Sequence, residues 1–143
     1  MLDDANSIFS NCKVIPDSGY RSYAKQVEVL NYYIDKEGKE AAMKRVAMPG
    51  TSEHHTGLAI DIAILTEHDY IDDITGKEPA IAWLHEHSSE YGFILRYPEG
   101  TEDITGVRYE PWHFRYVGVE LAKEITEKGM LLEEYYESKK CFR

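Results

Sequence analysis

The feature that most constrains the fold is the apolar run "LAIDIAIL", residues 58–65, which carries an aspartate at its centre. The run has the length of one strand, is rich in isoleucine and is bounded by Gly57 and Thr66, so we expect a β-strand there. Burying an unpaired carboxylate costs free energy. Asp61 therefore requires a partner in the folded chain, and a metal ion or a cation would meet that requirement.

Helices are expected on both sides of this strand. Residues 23–46 carry apolar positions at helical spacing, with Ser22 as the N-cap. Gly38 divides this stretch into two helices, the second of them at Lys39–Val46. Further helices are expected at Pro79–His87, at Val119–Lys128 with Gly129 as its C-terminal cap, and at Leu131–Tyr136.

Two more short strands are expected at "FILRY", residues 93–97, and "WHFRYVG", residues 112–118, and a turn-rich connector at 98–106 joins them. Helices early and late in the chain, with strands between them, favour an α+β fold with a small central antiparallel or mixed sheet flanked by helices. We find no internal repeat or linker, so residues 1–143 are expected to form one domain.

Charge and composition exclude some functions. The net charge is −10 at pH 7 and lysine and arginine are scattered, so nucleic acid is not expected as a partner. No run approaches the ~18 apolar residues of a membrane span, and the first residues lack the basic start and apolar region of a signal peptide. Cys12 and Cys141 lack metal-site spacing and are expected to be free thiols rather than a disulfide.

Two separated patterns could together hold a zinc ion. A catalytic zinc takes three protein ligands and leaves a position for water, beside which a further carboxylate acts as general base. His54 lies in the loop before the Asp61 strand, and Glu110 precedes His113 by three residues. At that spacing one side chain can bind the metal and the other can face its water. The spacing alone leaves both a zinc site and an ordinary loop and strand open.

The remaining histidines are not expected to bind a metal. Adjacent residues of an extended loop point in opposite directions, so only one of His54 and His55 should face the site. His85 and His87 are two residues apart on a predicted helix, and His68 lies in a polar loop. We expect all three of these side chains to be solvated.

The segment "SGYRSYAKQ", residues 18–26, carries a further candidate, Arg21. It is either a surface arginine near a helix start or a guanidinium that a tight turn directs into a cleft. In the second case it could stabilise an oxyanion or bind a substrate carboxylate.

These motifs resemble a known zinc signature. The pattern SxHxxGxAxD, followed much later by ExxH, is similar to that of the VanY-type D-alanyl-D-alanine carboxypeptidases, within the lysostaphin-like, D-Ala-D-Ala and hedgehog-type metallopeptidases. The segments "SGYRSYAKQ", "YGFILRYPEGTEDITG" and "EPWHFRYVG" extend the resemblance along nearly the whole chain. The matching positions are Ser52, His54, Gly57, Ala59 and Asp61, then Glu110 and His113.

The resemblance implies a role for each matching position. Zn²⁺ would be bound by His54, Asp61 and His113, and Glu110 would activate the water and pass its proton to the leaving amine.

A second group would act on the substrate. Arg21 would polarise the scissile carbonyl and stabilise the oxyanion, and Ser52 and Gln26 would contact the substrate. His55 would occupy a variable position.

The function implied is zinc-dependent removal of the C-terminal D-alanine from peptidoglycan stem peptides or their precursors. Three alternatives stay open: an L,D-carboxypeptidase, a D-Ala-D-Ala dipeptidase and a non-catalytic peptide-binding module, of which the last has no need of Glu110. A monomer is expected. Only seventeen residues precede Ser18, whereas the family is expected to have an upstream segment. We therefore expect a bacterial cell-envelope location if a leader or anchor is missing from this chain, and a cytoplasmic one if it is complete.

Overall fold

A five-stranded antiparallel sheet lies at the centre of the structure, a computed structural model that describes residues 1–140. Within these residues the strands are β1 (Lys13–Ser18), β2 (Ala59–Leu65), β3 (Tyr70–Ile71), β4 (Phe93–Leu95) and β5 (His113–Tyr116). The helices are α1 (Leu2–Ile8), α2 (Tyr23–Glu37), α3 (Lys39–Arg45), α4 (Pro79–His87), α5 (Glu102–Thr105), α6 (Val119–Lys128) and α7 (Leu132–Lys140). Two 3₁₀ turns lie at Glu53–Thr56 and Ser88–Tyr91. The predicted α+β class with a small sheet flanked by helices is confirmed.

The apolar run with Asp61 forms the most connected strand, β2. The strand order is β1-β2-β5-β4, and β3 pairs with the end of β2. Every pairing is antiparallel. Because β2 has partners along both edges, its backbone groups are satisfied by neighbouring strands.

The two faces of the sheet differ in what they contact. Successive side chains of a strand alternate between faces, so Ile62 and Ile64 share one face and Asp61 lies on the other. The isoleucine face packs with Phe114 of β5 against α1 and α4 to form the main core. The face that carries Asp61 is free of this core and is available for a polar site.

The remaining helices form two smaller apolar clusters. Leu30, Ala42 and Val46 hold α2 against α3, and Ile94 of β4 packs with residues of α6 and α7. α2 begins at Ser22, whose side chain accepts a hydrogen bond from the Lys25 N–H at 3.2 Å, as the sequence predicts.

Most predicted helices and strands occur, but several begin or end at residues other than those predicted. α4 and α6 have the predicted bounds, whereas α3 ends at Arg45, α7 extends over Leu132–Lys140, and the strands are shorter than expected. α1, β1, β3 and α5 were not predicted, and α5 lies within the connector expected at 98–106. β1 contains Pro16, which cannot donate to a strand ladder, and the register of β1 shifts between Pro16 and Ser18.

The prediction of three solvated histidines is right for His68 and wrong for His85 and His87. His68 is exposed, but the His85 Nε2 lies 2.8 Å from the Pro111 carbonyl oxygen and its ring packs near Phe114. Burial outweighs that hydrogen bond and lowers the pKa of His85. His87 is only partly exposed, since its ring stacks on Trp83. The His85 side of α4 packs near Phe114 of β5. A helical pattern in the sequence does not predict a contact with such a distant segment.

Two further expectations concern the cysteines and membranes. Cys12 is half-buried, and Cys141 lies outside the described residues, so the state of the two thiols stays a prediction. Within residues 1–140 the structure contains no helix with the length and apolar character needed to cross a membrane.

Candidate metal centre

Two of the predicted ligands face each other across neighbouring strands. Asp61 of β2 pairs with His113 of β5 in the antiparallel register, and Asp61 Oδ1 lies 2.8 Å from His113 Nδ1. Directly paired residues project from the same face of a sheet. The sheet therefore brings together two side chains that are 52 residues apart in the sequence.

His54 joins this pair from the 3₁₀ turn that precedes β2. Its Nε2 lies 3.1 Å from Asp61 Oδ2, and its Nδ1 lies 2.7 Å from the carbonyl oxygen of Gly19. A carbonyl oxygen only accepts hydrogen bonds, so Nδ1 carries a proton, and Nε2 is the ring nitrogen that faces the site and is available to a metal. Gly57 ends the turn with a φ of 70°, a left-handed conformation that glycine adopts without strain.

The three side chains fit a metal ion. His54, Asp61 and His113 each offer one ligand atom, and these atoms lie within 4.8 Å of one another. Ligands of a tetrahedral zinc ion lie ~2.0–2.2 Å from the metal and therefore about 3.3 Å from each other. Burial alone would raise the pKa of Asp61, but hydrogen bonds from both histidines lower it to about 2. The donor set is thus two imidazoles and one carboxylate, which suits zinc.

His55 has a different role from its neighbour. Both residues lie in the 3₁₀ turn rather than in the extended loop that was expected. His55 Nδ1 lies 2.7 Å from the Arg21 carbonyl oxygen, and its Nε2 accepts a hydrogen bond from the Gly50 N–H at 3.0 Å. Both ring nitrogens are therefore engaged by backbone, and His55 fastens the Arg21 segment to the turn.

Glu110 lies beside the three candidate ligands. Its Oε2 is 4.0 Å from His113 Nδ1, and its backbone is fixed by hydrogen bonds to the Tyr97 carbonyl oxygen and from the His113 N–H. Burial, opposed by His113 and reinforced by the charge of Asp61, raises the pKa of Glu110 to about 7. A carboxyl group with that pKa can both accept and return a proton near neutral pH.

Arg21 reaches the same site from the loop before α2. Its Nη1 donates to Gln26 Oε1 at 2.9 Å and its Nη2 donates to Ser18 Oγ at 2.7 Å. The Nη2 also lies 3.7 Å from Asp61 Oδ2. Ser18 itself pairs with Asp61 in the β1–β2 register. The guanidinium is therefore held next to the candidate ligands and is not a free surface arginine.

Gln26 and Ser52 border the cleft and also make contacts inside the protein. Gln26 is 1% exposed, and its Nε2 donates to the Ala47 carbonyl oxygen at 2.7 Å while its Oε1 holds Arg21. The Ser52 hydroxyl accepts a long hydrogen bond, 3.4 Å, from the His54 N–H. Gln26 thus holds Arg21, and Ser52 contacts the backbone of His54. The contact of either residue with a substrate stays a prediction.

Sequence reasoning missed the charged group behind His113. Glu53 Oε2 lies 3.4 Å from His113 Nε2, and Glu53 Oε1 accepts a hydrogen bond from Arg96 and forms an ion pair with Arg115. Burial alone would raise the pKa of Glu53, but the bonds from His113 and Arg96 and the charges of both arginines lower it to about 2. The position of Glu53 next to His54 was the available signal.

The charges around His113 also affect its protonation. Burial alone would lower the pKa of His113, but its hydrogen bonds to Asp61 and Glu53 raise it to about 9. Without a metal ion, the site therefore favours a protonated imidazole between two carboxylates.

The site opens into a cleft of about 1300 Å³. The walls come from α2, α3 and the connector between β4 and β5, including Tyr32, Met43, Val107 and Arg108. A cleft with both apolar and charged walls around a polar centre is typical of ligand-binding sites.

Comparisons with known proteins agree with this geometry. Residues 1–119 match the VanY family, described as D-alanyl-D-alanine carboxypeptidase. A putative carboxypeptidase YodJ of Bacillus subtilis is 43% identical over 86% of this chain and 45% of its own length. A D-alanyl-D-alanine carboxypeptidase of Enterococcus faecalis is 44% identical over 86% of this chain and 47% of its own. The bifunctional dipeptidase and carboxypeptidase VanXYC of Enterococcus gallinarum is 42% identical over 83% and 64%.

Solved structures show the same likeness. A D,D-pentapeptidase VanY from a VanB-type resistance cassette, an E175A mutant in complex with Zn(II), has a TM-score of 0.79 and 40% identity, covering 94% of this chain and 76% of its own. An L,D-carboxypeptidase DacB of Streptococcus pneumoniae has a TM-score of 0.82 and 42% identity, covering 94% and 70%. The chain spans about half the length of the first two curated relatives. It belongs to the VanY family of D-alanyl-D-alanine carboxypeptidases.

Proposed function

We propose that this chain is a zinc-dependent D,D-carboxypeptidase that removes the C-terminal D-alanine from peptidoglycan stem peptides or their precursors. The observation that carries the proposal is the position of Glu110, whose carboxylate is 13% exposed and lies beside three ligand atoms that suit zinc. A zinc ion held by His54, Asp61 and His113 would supply a Lewis acid that polarises the scissile carbonyl and acidifies water.

The protein's own groups have separate tasks in this proposal. Glu110 takes the proton of the attacking water and returns it to the leaving amine, since its carboxylate lies next to the candidate ligands. Arg21 donates to the oxyanion that develops on the scissile carbonyl. Its anchors Ser18 and Gln26 keep the guanidinium in place, so that little reorganisation is needed during the reaction.

The peptide specificity depends on the cleft rather than on the metal ligands. The family description and the name of the Enterococcus faecalis relative favour D,D-carboxypeptidase activity. The name of the similar DacB structure favours an L,D-carboxypeptidase as the second candidate. The cleft volume of about 1300 Å³ leaves room for a stem peptide.

The test is alanine release from three substrates: a stem pentapeptide, a tetrapeptide and free D-Ala-D-Ala, each incubated with zinc-loaded protein. Release of one D-alanine from the pentapeptide supports the proposal, and release from the tetrapeptide alone assigns L,D specificity. If the protein binds zinc and cuts none of the three, the cleft is a binding module and the proposal is wrong. A Glu110→Ala variant that still binds zinc serves as the control for contaminating peptidases.

A further inference from the structure

Glu53 stands next to a predicted zinc ligand in the sequence but contacts a different one in space. Its Oε2 lies 3.4 Å from His113 Nε2, the ring nitrogen that faces away from Asp61. Its Oε1 accepts a hydrogen bond from Arg96 Nε at 2.9 Å and lies 2.9 Å from Arg115 Nη1 in an ion pair. The two oxygens of one carboxylate therefore have separate partners, two arginines on one side and an imidazole on the other.

The arginine side of this arrangement is itself anchored. Arg96 is 9% exposed and binds Glu133 of α7 through two hydrogen bonds, Nη1 to Oε2 at 3.0 Å and Nη2 to Oε1 at 2.5 Å. A two-pronged arginine–carboxylate contact fixes orientation as well as charge. Glu53 is thus positioned by anchored arginine side chains, and the Arg96 backbone N–H also donates to the His113 carbonyl oxygen at 3.2 Å.

His113 can bind a metal through Nδ1 only if that nitrogen carries no proton. Nδ1 is the nitrogen that faces Asp61 and the other donors, so in the metal-bound ring the proton must reside on Nε2. A ligating histidine is typically oriented by a partner that accepts a hydrogen bond from its second nitrogen. The only acceptor within hydrogen-bonding distance of His113 Nε2 among residues 1–140 is Glu53.

We propose that Glu53 is a positioning residue for the metal site: it accepts the Nε2–H of His113 and thereby keeps Nδ1 free to bind zinc. This inference rests on the proposed zinc site. It assigns to the second position of the "SEHH" segment a function that is distinct from ligation by His54 and proton transfer by Glu110.

The geometry also explains why a carboxylate is required rather than an amide. A glutamine at position 53 has one acceptor oxygen and one NH₂ group. If the oxygen faces Arg96 and Arg115, the NH₂ group meets the Nε2–H of zinc-bound His113, donor against donor. If the amide is reversed, the NH₂ group meets the two arginines. Either orientation opposes the metal-binding state of His113.

The experiment compares Glu53→Gln with Glu133→Gln, which removes an equal charge from the other side of Arg96. Zinc affinity is measured by competition with a chromogenic chelator, and folding of each metal-free variant by circular dichroism. We expect Glu53→Gln to bind zinc ~10–100-fold more weakly than wild type and Glu133→Gln to bind it as wild type does. Equal affinities for Glu53→Gln and wild type, or equal losses in both variants, would overturn the inference.

A second readout needs no substitution. Long-range ¹H–¹⁵N correlation spectra of zinc-loaded wild-type protein report which nitrogen of His113 carries the proton. A proton on Nε2, with a deshielded and slowly exchanging resonance, is the expected result, whereas a proton on Nδ1 contradicts the inference even if Glu53→Gln fails to fold. If wild-type protein binds no zinc, the proposed function fails as well. If zinc binds but Glu53→Gln does not weaken its binding, the proposed function stands and only the inference about Glu53 fails.

Discussion

Asp61 lies opposite His113 in the β2–β5 ladder, with 2.8 Å between Asp61 Oδ1 and His113 Nδ1. The separation of these two donors is therefore set by backbone hydrogen bonds of a sheet and does not depend on a flexible loop. His54 comes from a turn, but its ring is fixed by the Gly19 carbonyl oxygen. Sites that are built on rigid elements hold their donors more accurately than sites on loops, so we expect the metal site to be largely formed before the metal binds.

The adjacent histidines provide a matched test of ligation. We expect His54→Asn to abolish tight zinc binding, because His54 directs Nε2 into the site. His55→Asn should retain zinc, because both ring nitrogens of His55 contact backbone groups instead. Zinc content after dialysis, measured by atomic absorption, distinguishes the two. Retention of zinc by His54→Asn, or its loss only in His55→Asn, would show that the ligand has been misassigned.

Replacing Glu110 should separate chemistry from metal binding. Glu110→Gln is expected to lower kcat by ~100–10,000-fold, the range of general acid–base catalysis, while zinc affinity stays near that of wild type. Glu102→Gln changes the same charge elsewhere on the cleft wall and should keep activity. The measurement is D-alanine release at saturating peptide. A Glu110→Gln variant with wild-type kcat would remove the general-base assignment.

Replacing Arg21 should lower kcat more than replacing Gln26. Arg21→Ala removes the oxyanion donor and should lower kcat by about 100-fold or more. Gln26→Leu removes one of the two side-chain anchors of Arg21, a hydrogen bond worth ~1 kcal/mol, so about a fivefold loss in kcat is expected. Separate determination of kcat and KM tests this. A large rise in KM for Gln26→Leu would instead favour the direct substrate contact that the sequence predicts.

The metal-free protein should lose stability as the pH rises. His113 has a pKa raised from 6.5 to about 9, so its protonated form stabilises the folded state below pH 6.5 and this contribution disappears between pH 6.5 and 9. Glu110, raised from 4.5 to about 7, adds a loss between pH 4.5 and 7. At about 1.4 kcal/mol per pKa unit, His113 contributes up to about 3 kcal/mol. Urea unfolding of zinc-free protein at several pH values measures the slope.

Zinc should reverse this dependence, because its ligands bind it in their deprotonated forms. The zinc-loaded protein is expected to gain stability from pH 6 to pH 8. At a pH where free zinc is 100-fold above its dissociation constant, binding stabilises the fold by ~2.7 kcal/mol. The same urea titrations with and without a chelator make the comparison. Parallel pH profiles for the two forms would be inconsistent with His113 as a ligand.

Local patterns in the sequence account for much of the fold. α4 and α6 occur with their predicted bounds, since proline near the first turn and glycine after the last turn are local signals. β1 was missed because Pro16 weakens its strand pattern, and its place beside β2 depends on pairing with residues far along the chain. The burial of His85 was missed for a similar reason, since its partner Pro111 belongs to a different part of the chain.

The sequence by itself determined which residues are available for chemistry: an aspartate in an apolar strand, a histidine before it, and a glutamate three residues before a second histidine. Those residue types and spacings also indicate the family. Only the tertiary structure decided which nitrogen of each histidine faces the site, because that depends on the Gly19 carbonyl oxygen and on Asp61 and Glu53. It also decided that Arg96 and Arg115 converge on Glu53. These contacts join segments that are distant in sequence, and hydrogen-bond direction is a property of their arrangement in space.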